Sequence, residues 1–446
     1  MLAPILIPAS AAPAAVERLS NGLTSVVIDR PASHQVLVAL YVRAGSRFER
    51  PEESGISHFL EHILFRGNSA APDSLGLTLA FEEVGGMINA VTGVEATEFY
   101  LVAHPERLDL ALSRLSQFIR EPSFADLDKE RQIILDEMLY DYNDRGQLID
   151  LAALSAQSLW PHHGLSQSIT GTPETVSRLG EEQLRAHHRR WYLPGNCVLA
   201  LIGNVRAERG GALIRRHFGD WPAGAGLPRR APVSEDGPRP SPGPAIRMVA
   251  DPDNQFHVQF SFAGPGYNAP EDLPLTLLAR VLDDGPASVV QRIVREERAL
   301  VYGISGGYTA YRDAGQFDIV TSVKVERLEE LLDCVLGLLT GFRQAGPSPE
   351  EVERARLRHR FELEFGRDSL GAWAERYAWP LLYSSVRDET AELRALQSIG
   401  TEELRALAER LFAPERLHLA LVGPLDAKVE ALVRRAVESF AGTKPA

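Results

Sequence analysis

EEQLRAHHRRWYLPGNCVLALIGNV, Glu181 to Val205, returns 220 positions later as TEELRALAERLFAPERLHLALVGPL, Thr401 to Leu425. Leu184 matches Leu404, Arg185 matches Arg405, Tyr192 matches Phe412, Pro194 matches Pro414, Leu201 matches Leu421 and Gly203 matches Gly423. Each copy reads as an amphipathic helix, a proline-bearing turn and an apolar strand ending at glycine. Towards the start of each half, the alternation Val38, Leu40, Val42 is repeated at the same offset by Val258, Phe260, Phe262. Two matches at one offset indicate a duplicated domain, because the units of a solenoid are far shorter.

Both halves mix alternating strands with long helical patterns, at 107–120, 127–142 and 328–344. The expected fold class is therefore α+β, with two homologous α/β-layered domains. Between the halves, Pro222 to Ala245 is rich in Pro, Gly and charge and has no apolar periodicity, which is linker composition. The expected organisation is a first domain at 15–221, a linker at 222–245 and a second domain at 246–446.

With 44% hydrophobic and 24% charged residues, the chain has an ordinary globular composition. A net charge of −13 argues against general nucleic-acid binding, which relies on Lys and Arg neutralising phosphates. Cys197 and Cys334 stand far apart, so no disulfide framework is expected, and two buried free thiols are. No apolar run approaches the roughly 18 residues of a membrane span. The opening MLAPILIPASAAPAA is apolar but lacks the basic region of a secretory signal. A loosely attached start and a cytoplasmic location are expected, with the periplasm as the alternative if this stretch is a trimmed leader.

The first half contains HFLEH, His58 to His62, within an unbroken helical pattern. Residues i and i+4 share a helix face, so both imidazoles can reach one zinc ion. Glu61 lies beside that face, where a carboxylate can take a proton from metal-activated water. H-x-x-E-H is the inverzincin pattern. Downstream, DKERQIILDEMLYD (Asp128 to Asp141) carries Glu130 and Glu137 seven apart on one helix face. One of them can ligate the metal while the other supports a ligand by hydrogen bonding.

These residues carry a resemblance. SGISHFLEHILFRG, GGMINAVTGVEATEFY and ERQIILDEM in the first half, with VREERALVY in the second, resemble the pitrilysin/insulinase family. The likeness is strongest to its short two-domain members, such as the mitochondrial processing peptidase subunits, and runs from about Val16 to Leu425. It implies two domains forming a clamshell, one zinc ion per chain and peptide-bond hydrolysis. It assigns His58, His62 and Glu137 as metal ligands, Glu61 as catalytic base and Glu130 as the supporting acid. Asn89, Ala90 and Val91 fall on the strand that receives substrate as an added β-strand. Arg295 and Tyr302 fall on the pair that reaches the peptide from the second domain. Asn68, Val91 and Ala299 depart from the commoner threonine, aromatic residue and glycine of the family, and none is a ligand.

The 220-residue offset sets His58, Glu61 and His62 opposite Leu278, Val281 and Leu282, so the second copy has apolar residues in place of a metal site. The remaining pairs, His162–His163 and His187–His188, are expected in a loop and on a helix surface. The leading expectation is a zinc endopeptidase acting on unfolded peptides, as a homodimer or paired with a related chain. The alternatives are the catalytic subunit of an obligate heterodimeric processing or maturation protease, and a non-catalytic scaffold subunit. The intact ligand set argues against the scaffold.

Overall fold

The computed structural model describes residues 14–224, 238–267, 269–383 and 386–442. The opening stretch 1–13 and positions 225–237 of the expected linker lie outside the described residues.

Two compact units emerge, and neither is a contiguous half of the chain. The first takes in the described residues of Met1–Met138, Gln167–Val233 and Leu363–Glu389, and the second those of Leu139–Ser166, Ser234–Glu362 and Thr390–Ala446. The contiguous bounds 15–221 and 246–446 are thus corrected in two places. The segment 139–166 goes with the second unit, and 363–389 with the first.

The first unit is built on β1 (Ala14–Arg18), β2 (Thr24–Asp29), β3 (Val36–Val42), β4 (Ile88–Thr92), β5 (Thr97–Ala103) and β6 (Cys197–Gly203). Their order in the sheet is β1-β2-β6-β3-β5-β4. All seven residues of β3 and of β6 are buried. A strand covered on both faces reads as a continuous apolar run rather than an alternation. On one side, Phe118 of the helix Leu108–Arg120 meets Phe65, Phe81 and Phe99 edge-on at 5.1–5.8 Å. On the other, Ile28, Tyr41 and Ile202 pack with Trp373 and Tyr377 of the helix Leu370–Tyr377.

The second unit has β7 (Ala245–Ala250), β8 (Gln255–Gly264), β9 (Ile304–Ala310), β10 (Gly315–Lys324) and β11 (Leu417–Gly423), ordered β7-β11-β8-β10-β9. This repeats β2-β6-β3-β5-β4 strand for strand. The parallel pair β2–β6 is matched by the parallel pair β7–β11. Strands β6 and β11 begin and end 220 positions apart, as do the helices Glu181–Trp191 and Thr401–Leu411. The duplication read from the sequence is therefore a duplication of topology.

The helix Leu151–Leu159 explains one non-contiguous segment. Its Leu154 packs against Ala420 and Val422 of β11, with Leu151 and Val249 alongside. Each sheet has a second face that needs covering. In both units the cover comes from a helix that sequence order assigns to the opposite half, because apolar faces pair by shape and not by chain order. Cys197 and Cys334 are free and buried, as expected. Among the described residues no helix is long and apolar enough to cross a membrane.

Candidate metal centre

Helix α1 (Ile56–Leu64) carries the histidine motif, and its start is tightly specified. Gly55 precedes it at φ +91°, and a Cβ there would stand 2.5 Å from the Thr170 carbonyl oxygen. Only glycine combines that left-handed backbone with so close an approach. The Glu49 carboxylate then accepts from the backbone N–H groups of Gly55 (2.7 Å) and Ser57 (2.8 Å). An anion at a helix N-terminus satisfies otherwise unpaired donors and complements the helix dipole. Burial nevertheless pushes the Glu49 carboxyl up to about 7, against the pull of those hydrogen bonds.

The side of α1 bearing Ser57 meets the helix Glu181–Trp191, and this corrects an expectation. His187 is only 7% exposed, and its Nε2 lies 3.2 Å from Ser57 Oγ. His188 Nε2 sits 2.7 Å from the Ile119 carbonyl oxygen, and its ring stacks on Tyr192 with centroids 5.0 Å apart. The pair therefore fills the seam beside the motif helix rather than its solvent surface. His163 is buried as well, accepting from Leu165 N–H at 3.1 Å, whereas His162 is exposed.

Helix α4, Leu127–Glu137, brings the glutamates (the intervening helices Ser74–Glu82 and Leu108–Arg120 are α2 and α3). The helix expected over 127–142 stops at Glu137 and tightens into a 3₁₀ turn, Met138–Tyr140. Ile134 buries the inner face of α4, and Arg131 reaches out to the carbonyl oxygen of Leu179 at 2.7 Å. Glu130 is buried and Glu137 is half exposed.

His58, His62 and Glu137 converge. One ligand atom from each lies within 4.8 Å of the others. Nε2 of His58 and Nε2 of His62 stand 3.8 and 3.9 Å from the same Glu137 oxygen. Those separations are too long for hydrogen bonds. They lie near the edge of a tetrahedron with zinc-length bonds, about 3.4 Å. Burial, with His62 as neighbour, holds the His58 imidazole down to about 4, and burial lowers His62 too. Both rings are thus neutral near pH 7, the form that ligates metal. Among the described residues, His58 Nδ1 is buried without a hydrogen-bond partner. The other ring is oriented from behind: Nδ1 of His62 is 2.9 Å from Glu130 Oε2, and Arg66 pairs with the remaining Glu130 oxygen. Such a carboxylate fixes Nδ1 as donor and leaves Nε2 free to bind. The donor set fits zinc.

Glu61 lies on the same helix. Thr92 Oγ1, at the end of β4, donates to its Oε2 at 2.5 Å. Burial raises the Glu61 carboxyl above the ordinary glutamate value, while Thr92 and His62 pull it back. Among the described residues, β4 closes one end of the first sheet and pairs only with β5. Asn89 and Val91 are exposed along it and Ala90 is half-buried. A cleft of about 210 Å³ opens beside its start, walled by Phe65, Arg66, Leu77, Phe81, Met87 and Ile88.

In the second unit, Arg295 stands on a π-helical turn, Gln291–Glu297, and Tyr302 is 97% exposed. Ala299 between them adopts φ +47°, the left-handed backbone that a glycine takes without cost. Arg327 pins it by donating to the carbonyl oxygens of Ala299 (2.8 Å) and Arg298 (3.2 Å). Leu278, Val281 and Leu282, the positions opposite His58, Glu61 and His62, lie in the core. Asn68 makes its own turn, accepting from Ala70 and Ala71 N–H at 2.9 and 2.8 Å.

Sequence reasoning missed three supporting residues. Thr92 ends the run INAVT, and Arg66 follows His62 by one helical turn, so each stood beside a recognised motif. Glu49 had no signal of its own.

A family model for insulinase (peptidase family M16) matches residues 24–172, and one for the M16 inactive domain matches 178–358. The chain belongs to the M16, or pitrilysin/insulinase, peptidase family in its short two-domain form. It is similar to a protein of Mycobacterium tuberculosis named an uncharacterized zinc protease, with 28% identity over 94% of this chain and 95% of the relative. YmxG of Bacillus subtilis, also named an uncharacterized zinc protease, is 26% identical, over 91% of this chain and 97% of its own. Among solved structures, a protease from Helicobacter pylori superposes with a TM-score of 0.83 at 17% identity, covering 92% of this chain and all of that one. That likeness speaks to the fold alone.

Proposed function

We propose that the protein is a zinc-dependent endopeptidase that hydrolyses unfolded peptides. The observation that carries this reading is the convergence of His58, His62 and Glu137 on one point beside Glu61. His58, His62 and Glu137 would hold the metal. Zinc, when bound, supplies a Lewis acid that makes a water acidic enough to attack a carbonyl at neutral pH. Glu61 takes the proton from the attacking water and delivers it to the departing amine, a role suited to a carboxyl raised by burial. Glu130 orients His62. The edge of β4, unpaired among the described residues, suits backbone pairing with an extended peptide at Asn89, Ala90 and Val91, which favours unfolded substrates over particular sequences. The cleft at the start of that strand suits an apolar side chain of the peptide. Arg295 and Tyr302 are assigned to substrate binding, since a phenol left almost fully in solvent does little for packing. The metal cluster falls in the stretch matched as insulinase, and not in that matched as inactive domain, which favours catalysis over a scaffold role.

The test is hydrolysis of a mixed set of internally quenched peptides, read by mass spectrometry, by protein as purified, stripped with chelator and reloaded with zinc. Cleavage should vanish on stripping and return on reloading, with zinc content lost in His58→Ala and Glu137→Gln. Cleavage that ignores the metal, or zinc content unchanged in both variants, would overturn the reading.

A further inference from the structure

The turn that joins β4 to β5 is held by a cluster that reaches far along the chain. Residues 93–96 form it, closed by Gly93 N–H donating to the Ala96 carbonyl oxygen at 2.8 Å. Arg47 grips it twice. Its N–H donates to the Val94 carbonyl oxygen at 2.9 Å, and its guanidinium pairs with Glu95. Arg47 and Glu95 are 3% and 6% exposed. Two charges that far from water persist only when their geometry is fully provided for. The second Glu95 oxygen accepts from the Tyr383 hydroxyl at 3.1 Å, across 288 positions of sequence. Tyr383 ends the turn Trp379–Tyr383, within the segment 363–389 that folds into the first unit. Its burial beside Glu95 raises the phenol far above its usual value, so it stays a donor.

What this cluster holds matters because of its neighbour. Thr92 immediately precedes the turn, and its hydroxyl is the donor to Glu61. Thr92 is 7% exposed and Thr97, at the other side of the turn, donates to the Ala44 carbonyl oxygen at 2.9 Å, so the base of the hairpin is packed and its tip is set by Glu95. We infer that Tyr383 is a positioning residue: by holding Glu95 it fixes the β4–β5 turn, and through Thr92 it fixes the carboxylate of Glu61. The inference rests on the reading of Glu61 as the base. It assigns to a residue of the late 363–389 segment a part in aligning a group on the early motif helix, without contact with substrate.

Tyr383→Phe removes the hydroxyl and keeps the ring, so the variant should fold and bind zinc as before. Two measurements test it on the zinc-loaded full chain. Amide hydrogen exchange should quicken across 88–97 and nowhere else in the first sheet. With an internally quenched peptide that the wild type cleaves, kcat should fall about tenfold, the scale expected when a catalytic group is slightly misplaced. Thr92→Val should lower kcat similarly, and Tyr383→Phe added to Thr92→Val should cause no further loss, because both act through one contact. A purely structural effect would instead add to that of Thr92→Val, and would overturn the inference. Unchanged exchange across 88–97 would overturn it as well, whatever the activity. If zinc-loaded wild type cleaves no peptide, the peptidase reading falls and the positioning role with it, and the exchange data tell that failure from a failure of the clamp.

Discussion

Nδ1 of His62 lies 2.9 Å from Oε2 of Glu130, whose other oxygen is paired with Arg66, so a ring of the candidate metal centre is oriented by a buried carboxylate that is itself neutralised. Glu130→Gln keeps the shape and removes the charge. Its zinc affinity, measured by competition with a chromophoric chelator, should fall about 10–100-fold. Arg66→Ala leaves the Glu130 charge buried without its cation and should cost about 3 kcal/mol in denaturant unfolding of the metal-free protein. Wild-type affinity in Glu130→Gln would remove the supporting role.

Binding and chemistry separate at Glu61. An amide cannot take up the proton of the attacking water. Glu61→Gln should therefore hold zinc, melt like the wild type and lose peptide turnover. Near-normal turnover, in a preparation shown free of contaminating peptidase, would exclude Glu61 as the base.

Glu49 predicts a pH dependence of stability. Its folded value, about 7, lies above the ordinary 4.5, because burial outweighs the hydrogen bonds from Gly55 and Ser57. A group raised on folding contributes stability that is complete below its unfolded value and is lost as pH rises through its folded one. Metal-free protein should thus lose up to about 3 kcal/mol between pH 4.5 and 8. Glu49→Gln should be flatter over the same window. Parallel unfolding profiles for the two proteins would show that Glu49 is already ionised in the fold at low pH.

In the second unit, Tyr302→Phe and Arg295→Ala should leave zinc content and melting temperature intact, since Tyr302 is almost wholly in solvent and Arg295 is 42% exposed. Peptide hydrolysis should drop by about one to three orders of magnitude, the range for a donor aimed at developing charge. Ala299→Gly, between them, relieves a left-handed alanine and should leave stability equal or higher by about 1 kcal/mol. Hydrolysis at the wild-type rate in both Tyr302→Phe and Arg295→Ala would relegate this turn to structure.

The chain's own pattern determined the duplication and the motif helix and singled out the candidate ligands, because each rests on a spacing that can be read along the chain. Positions four apart put His58 and His62 on one face, seven apart put Glu130 and Glu137 on another, and an offset of 220 set apolar residues opposite the histidine motif. Tertiary structure alone decided the rest. That 139–166 covers the second sheet and 363–389 the first depended on which apolar face each helix could fill. His187 looked like a surface histidine until α1 packed over it. Thr92 on Glu61, Arg66 on Glu130 and Tyr383 on Glu95 each pair one buried polar group with a partly buried one, and burial demands a partner but no sequence spacing says where it will come from.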